Sequence, residues 1–154
     1  MKKIVTLTGH KHTKKDIIAQ RLAKNSDVKF VRPFTERGVK NCSDDDLVDY
    51  NVVLPSALDE MIDSEDVLTI TKRGKYRYVF FKFQLTSTYN VLIVDDYQLK
   101  DIKDVWDDEI YTVKLTSKKE VESDYVGEYY FNDEFDEVFD VDVGDIDELE
   151  WRIE

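Results

Sequence analysis

Short apolar runs alternate with segments of helical periodicity along this chain. The run at 3–8 is rich in β-branched residues and ends at Gly9, which is typical of a buried strand followed by a tight loop. Residues 13–24 carry apolar side chains three and four positions apart, which predicts a helix. A strand, a glycine-bearing loop and a helix in this order form the opening of a phosphate-binding βα unit.

The same patterns assign elements to the rest of the chain. In order, they predict a strand at 28–31, a polar loop at 32–46, a strand at 50–54, a helix at 55–62, a hairpin of strands at 67–71 and 76–83, a strand at 90–96, a helix at 98–105, a strand at 110–115, a helix at 117–123, a strand at 129–131 and a helix at 134–138. This order predicts an α/β fold, with a mostly parallel sheet, helices on both faces and a small antiparallel insertion at 50–83.

Length and composition narrow the class of protein. A chain of 154 residues is expected to form a single domain over 1–154. The single cysteine, Cys42, leaves no internal disulfide and fits a reducing compartment. The first apolar run is shorter than a signal peptide or a membrane span requires. We therefore expect a soluble, cytoplasmic protein that does not enter a membrane.

The net charge is −12, and the charged residues are unevenly distributed along the chain. Residues 1–40 hold eleven basic and three acidic residues, whereas residues 120–154 hold fifteen acidic residues and one basic residue. A basic start suits a phosphate site, and an acidic C-terminal part suits solubility or a basic partner. The same acidic part could imitate the charge of nucleic acid. Direct nucleic-acid binding is not expected at this net charge.

Six segments, taken in order, resemble the guanylate kinase family of P-loop nucleoside monophosphate kinases. They are 9–16 at the P-loop G-x-x-x-x-G-K-[ST], 34–37 at Thr-Thr-Arg, 48–52 at V-D-Y-x-F, 61–68 at M-I-x-x-G-x-F-L, 91–98 at V-I-L-D-I-D-V-Q-G and 131–137 at V-N-D-D-L-E-E. The resemblance covers the whole chain. It implies a P-loop kinase-like fold, ATP and Mg²⁺ as cofactors, and a nucleoside monophosphate as substrate.

The resemblance also implies roles for particular residues. Lys15 and Arg37 match catalytic positions, because the P-loop lysine reaches the outer phosphates and the planar fork of arginine meets phosphate oxygens in pairs. Asp16 and Asp96 match positions that can hold magnesium. The implied nucleotide-binding residues are Gly9, Lys14, Lys15, Asp16, Thr35, Arg37, Thr69, Tyr78 and Asp96.

Several positions depart from the family pattern. Lys14 replaces the glycine before the P-loop lysine, Asp16 replaces Ser/Thr, and Thr69 replaces the glutamate that binds guanine. The family has an arginine-rich lid after the strand at 110–115, whereas residues 116–124 contain two lysines and no arginine. Some phage deoxynucleotide kinases carry Gly-Lys-Asp at the loop, so Asp16 is compatible with ATP binding, and the short, acidic form of the chain resembles that of phage-encoded proteins. Phosphoryl transfer depends on positioned charge and excluded water, so these departures predict inefficient transfer.

Three functions remain open from the sequence. The first is a degenerate guanylate-kinase-like pseudoenzyme that binds a nucleotide or a protein, such as a host protein. The second is a divergent nucleoside or deoxynucleoside monophosphate kinase that uses ATP and Mg²⁺. The third is an acidic inhibitor that acts on a basic protein partner. For the individual residues, the alternatives are a basic loop at 9–16 without a ligand, a surface role for Arg37, and aspartates at 95 and 96 that cap the helix after them.

Overall fold

The computed structural model describes residues 2–9, 13–37, 50–118 and 135–153. The strands in these ranges are β1 (Lys3–Gly9), β2 (Val28–Phe30), β3 (Phe34–Thr35), β4 (Asn51–Val52), β5 (Val67–Arg73), β6 (Tyr76–Phe81), β7 (Tyr89–Ile93), β8 (Ile110–Thr116) and β9 (Glu137–Asp140). The α-helices there are α1 (Lys15–Leu22), α2 (Pro55–Ser64), α3 (Asp96–Val105) and α4 (Ile146–Ile153), and Lys82–Gln84 forms a 3₁₀ turn. No helix within the described ranges is both long enough and apolar enough to cross a bilayer.

A five-stranded sheet in the order β2-β7-β1-β8-β9 forms the centre of the fold. Every neighbouring pair in this sheet is parallel. β1 lies in the middle because it is apolar on both faces, with Ile4, Val5 and Leu7 all fully buried. The predicted fold class is confirmed, with a mostly parallel sheet covered on both faces.

The two faces of this sheet have different covers. On one face, Leu7 packs in a cluster with Ile18 of α1 and Leu149 of α4. On the other face, Ile4 packs in a cluster with Leu99 of α3 and Phe80 of β6. The second sheet is therefore packed against the same core as the first, which fixes the position of the β5–β6 hairpin relative to the central strands.

The second sheet is mixed and has the order β4-β3-β6-β5. The predicted hairpin is confirmed, since β5 and β6 pair antiparallel and Gly74 adopts a φ of 62° between them. The prediction of an antiparallel insertion at 50–83 is correct only in part. β3, at Phe34–Thr35, belongs to this sheet and pairs parallel with β4. A strand of two residues is too short to show a period of two, so its sequence carries no signal.

The helix predicted at 134–138 is wrong. Residues Glu137–Asp140 form β9, which pairs parallel with β8 at the edge of the central sheet. Val138 is exposed and Phe139 is buried, as expected for a strand with one covered face. The helix was predicted because Asn132 or Asp133 could cap it, but pairing with a distant strand decides the conformation here.

The C-terminal helix α4 is absent from the predicted elements. Ile146, Leu149 and Ile153 are spaced three and four residues apart, and Leu149 and Ile153 are buried against α1 and the central sheet. The acidic residues between them conceal this spacing. The predicted strand at 129–131 lies outside the described residues, and so does the predicted helix at 117–123 apart from its first two residues.

Part of the acidic C-terminal segment is used inside the fold. Asp136 accepts hydrogen bonds from the backbone N–H and the hydroxyl of Thr112, at 2.8 and 3.2 Å. Glu137 accepts a hydrogen bond of 2.8 Å from the hydroxyl of Tyr111 and forms an ion pair of 2.5 Å with Arg152. These contacts attach the edge strand β9 to β8 and to α4.

Candidate functional site

The end of β1 and the start of α1 form one side of the site. A Cβ atom at Gly9 would lie 2.7 Å from the carbonyl oxygen of Leu115, so the close approach of β1 to β8 requires glycine here. Lys14 precedes α1 with φ 56° and ψ 41°, a left-handed conformation that favours glycine. The backbone at 14 therefore takes a conformation that glycine adopts without strain, although a lysine occupies the position.

Lys15 is the first residue of α1, and its ammonium group donates a hydrogen bond of 2.7 Å to the carbonyl oxygen of Gly9. Burial lowers the pKa of Lys15, and the nearby charge of Arg73 lowers it further. The carboxylates of Asp16 and Asp95 act on the same pKa in the opposite direction. A partly buried ammonium beside a second cation is an arrangement that a bound anion would stabilise.

A cavity of about 100 Å³ lies between the start of α1 and the second sheet. Its walls are largely aromatic, and the rings of Tyr50 and Tyr78 are 5.2 Å apart at their centroids. Asp16 and Arg73 provide its charged groups. The full lining is Asp16, Phe30, Val31, Pro33, Tyr50, Arg73, Tyr78, Phe80, Ile93 and Gln98.

A second, shallower cavity of about 510 Å³ adjoins the first, because Arg73 and Tyr78 line both. Its other lining residues are Arg37, Gly74, Lys75 and Tyr76. Three of these six residues are basic, and none is acidic. Taken together, the two cavities form a cleft with an aromatic interior and a basic rim, to which we refer below as the cleft.

An ion-pair network includes residues that lie next to the rim in sequence. Arg77 donates to both carboxylate oxygens of Glu36, at 2.6 and 3.1 Å, and pairs with Asp59 at 2.7 Å. The hydrogen bond from Arg77 holds the pKa of Glu36 below its ordinary range. This network fixes the segment that leads from β3 into Arg37. Arg77 is therefore neutralised by two carboxylates.

The two aspartates after β7 occupy different environments. Asp95 caps α3: its carboxylate accepts a hydrogen bond of 2.8 Å from the backbone N–H of Gln98, whose side chain accepts one of 3.0 Å from the N–H of Asp95. This is a capping box. Asp96 has no exposed surface and does not line either cavity. Asp95 is thus the aspartate that acts electrostatically on Lys15.

Thr69 lies on β5 and is buried. Its hydroxyl donates a hydrogen bond of 3.1 Å to the carboxylate of Asp101 on α3. The side chain at this position therefore joins the hairpin to α3, and it does not line the cleft.

Comparison with known proteins bears on the fold. No protein-family model and no curated protein matches the chain. Among solved structures, the chain is similar to guanylate kinase from Anaplasma phagocytophilum, with a TM-score of 0.67 and 12% identity over 99% of this chain and 82% of that one. The chain has a guanylate-kinase-like fold. At this identity the likeness extends to the fold alone.

In the guanylate-kinase-like fold of this chain, the residues singled out in the sequence other than Gly9 and Lys14 fall into two groups. Asp16, Arg37 and Tyr78 line the cleft, and Lys15 lies close enough to Arg73 for their charges to interact. The second group is buried outside the lining and consists of Thr35, Thr69 and Asp96. The hydroxyl of Thr35 accepts a hydrogen bond of 3.2 Å from the backbone N–H of Arg37.

The cleft also contains residues that were not predicted from the sequence, among them Tyr50, Arg73 and Gln98. The basic run at 72–75 around Gly74 was a signal for Arg73, because three cations in a hairpin connection exceed what a turn needs. The spacing of Asp95 and Gln98, three residues apart, was a signal for the capping box.

The carboxylate of Asp16 suits a magnesium ion, since Mg²⁺ is commonly held by one or two carboxylates together with substrate phosphates. Asp16 is exposed and lines the cleft, so it meets this requirement. Asp96 does not meet it, because its carboxylate is fully buried. In the described part of the chain, no group of three or more acidic, histidine or cysteine side chains forms a ready-made metal site.

Proposed function

We propose that this chain binds a nucleotide through its phosphates in the cleft and transfers phosphoryl groups poorly or not at all. The ligand's phosphates meet Lys15, Arg73 and Arg37, and its ring system packs against the aromatic interior. Asp16 would hold the magnesium ion that accompanies a triphosphate, and this ion would neutralise phosphate charge.

The observation that supports this proposal is that the charge of Arg73, which lines the cleft, acts on the ammonium group of Lys15 at the start of α1. Placing two cations together costs free energy, and the lowered pKa of Lys15 reflects both its burial and this repulsion. A phosphate between them would remove the repulsion and would accept charge-assisted hydrogen bonds from both. The start of α1 adds backbone N–H groups that favour an anion.

Inefficient transfer is proposed from two described residues and from one feature of the sequence. Lys14 places a side chain where the loop backbone would have to wrap phosphate closely, at a φ of 56°. Thr69 is engaged with Asp101 and offers no paired acceptors to a guanine edge. No arginine occurs at 116–124, where an arginine-rich lid would lie. An arginine acting on the transferring phosphoryl group accounts for about 10³-fold or more in related chemistry.

The test is a thermal-shift panel with ATP, GTP, GMP, dGMP and other monophosphates, each with and without Mg²⁺. A ligand at a hundred times its dissociation constant should stabilise the fold by about 2.7 kcal/mol. Lys15→Met should abolish the shift. Lys24→Met removes the same charge from an exposed position near the end of α1 and should keep the shift. If no nucleotide stabilises the wild-type protein, the proposal is wrong, and a protein-binding role for the same fold becomes the leading one.

A divergent monophosphate kinase is the second candidate, and one observation favours it. Asp16 and Asp95 both act on the pKa of Lys15, and Asp16 lines the cleft, so carboxylates lie within electrostatic range of the ammonium group, as ATP with magnesium would need. The two candidates differ in rate. Turnover of any monophosphate with ATP above about 1 s⁻¹ would support the kinase and overturn poor transfer.

The acidic inhibitor receives little support. Asp136 and Glu137 are engaged by groups of the same chain, so these two carboxylates are not displayed for a basic partner, whereas Asp142 is exposed. A basic protein that binds this chain in a strongly salt-dependent manner would restore that candidate.

A further inference from the structure

The end of the β5–β6 hairpin places an arginine at the junction of the two cavities. Arg73 is the last residue of β5 and pairs with Tyr76, the first residue of β6. Two residues connect the strands, and Gly74 takes the left-handed conformation that this tight connection needs. The backbone of Arg73 is therefore held by the final pair of the ladder and does not lie in a long loop.

The side chain of Arg73 reaches both ends of the cleft. It lines the smaller cavity together with Asp16, and it lines the larger cavity together with Arg37. Its guanidinium lies 5.5 Å from the centroid of the Tyr78 ring, and its charge acts on Lys15. The stacking contact limits the positions open to the guanidinium and keeps it above the cleft.

Arg73 also differs from the neighbouring arginine in its pairing. Arg77 is bound to Glu36 and Asp59. Among the residues that the structure describes, no carboxylate forms an ion pair with Arg73. Its five N–H donors can meet oxygens of two different phosphate groups, which a lysine ammonium cannot do with the same geometry.

We propose that Arg73 bridges two phosphate groups of the ligand, one held near Lys15 and one held near Arg37. This inference rests on the proposed function and narrows its ligand class to compounds that place anionic groups at both ends of the cleft, such as polyphosphate esters. Arg73 is then a binding residue supplied by the hairpin. Arg73 would supply positive charge between the phosphates, and no charge from residues 116–124 would be needed there.

The test compares inorganic tripolyphosphate with inorganic orthophosphate as probes on the full chain. Arg73→Gln should weaken tripolyphosphate binding about tenfold to a hundredfold, since a hydrogen bond to a charged group is worth about 1.5–3 kcal/mol. Orthophosphate fits only one end of the cleft. Its affinity should fall about threefold or less in Arg73→Gln, which is below the tenfold change that corresponds to about 1.4 kcal/mol. Arg73→Lys should recover only part of the tripolyphosphate affinity.

Lys72→Gln is the matched control, because it removes the same charge one residue earlier and Lys72 lines neither cavity. It should change tripolyphosphate binding by less than about twofold, which corresponds to about 0.4 kcal/mol. Equal effects of Arg73→Gln and Lys72→Gln, with binding still abolished by Lys15→Met, would overturn the bridging role and leave the nucleotide site intact. If the wild-type protein binds neither these probes nor any nucleotide, the proposed function fails, and the bridging role fails with it.

Discussion

The ammonium group of Lys15 donates a hydrogen bond of 2.7 Å to the carbonyl oxygen of Gly9. Gly9 is the last residue of β1, so the start of α1 is bonded to the end of the strand that precedes it. This contact holds the ammonium group within electrostatic range of Arg73, which lines the cleft. Burial and the charge of Arg73 lower the pKa of Lys15 in the absence of a ligand. An anion bound beside the ammonium would raise that pKa again.

The first prediction is therefore that anion binding takes up protons. Between the lowered pKa of free Lys15 and its higher pKa in the complex, each binding event should protonate a fraction of the lysine, and affinity should fall as the pH rises through this window. Calorimetry with ATP, fully ionised, in two buffers of different ionisation enthalpy measures the uptake. Lys15→Arg is the control, because arginine stays protonated. The same buffer dependence in wild type and Lys15→Arg would exclude Lys15 as the group that titrates.

The second prediction concerns the backbone at Lys14. A non-glycine residue in the left-handed region costs about 1–2 kcal/mol, and glycine recovers this at an entropic cost of about 0.5–1 kcal/mol. Lys14→Gly should therefore raise the free energy of unfolding by about 0.5–1 kcal/mol, as measured by urea denaturation. Lys14→Ala keeps the left-handed φ and should change stability by less than about 0.5 kcal/mol.

Gly74 provides the opposite substitution. Its φ is 62°, and a Cβ atom there would meet nothing within 4 Å, so Gly74→Ala isolates the conformational cost. We expect a loss of about 1 kcal/mol. If Lys14→Gly and Lys14→Ala prove equally stable, residue 14 is not under the strain that its φ indicates.

The sequence predicted the central strands because their apolar runs are local signals. The runs at 3–8, 90–96 and 110–115 became β1, β7 and β8 with small changes at their ends. β9 was not predictable from its own residues, because pairing with β8 and the contacts of Asp136 with Thr112 form across a long separation in sequence.

Only those site residues that a local sequence pattern marks could be predicted. Lys15 and Asp16 were predicted because they follow a loop between a strand and a helix, and the structure places Asp16 in the lining of the cleft. Arg73 was missed because its role depends on where the hairpin packs relative to α1. The sequence could not separate Asp95 from Asp96 by residue type, whereas the structure gives one a cap position and buries the other.

The third prediction concerns acid stability and the pair of Glu36 and Arg77. The hydrogen bond from Arg77 lowers the pKa of Glu36 in the folded protein, so the pair stabilises the fold above the unfolded-state pKa, near 4.3. This stability should be lost as the pH falls through the lower folded-state pKa. Glu36→Gln should cost about 1–3 kcal/mol near neutral pH and should flatten the dependence of stability on pH in the acid range.

Glu60→Gln is the control for this prediction. Glu60 is exposed on α2, and its substitution should change the free energy of unfolding by less than about 0.5 kcal/mol. Denaturant unfolding at a series of acid pH values measures both variants. If the free energy of unfolding falls with the same slope at acid pH in wild type and in Glu36→Gln, the Glu36–Arg77 pair contributes nothing to acid stability.

The fourth prediction concerns alkaline pH and Tyr111. Burial, together with the hydrogen bond to Glu137, raises the pKa of Tyr111 to about 12. An unfolded tyrosine ionises near 10, so the folded state holds this proton longer, and stability should fall as the pH rises from about 10 towards 12. The difference in tyrosinate absorbance between wild type and Tyr111→Phe isolates this residue. Glu137→Gln should lower the pKa that the difference reports, because it removes a negative charge beside the phenol. A step near pH 10 in the folded protein would mean that Tyr111 is neither buried nor bonded to Glu137, and that β9 is not attached to β8 by this contact.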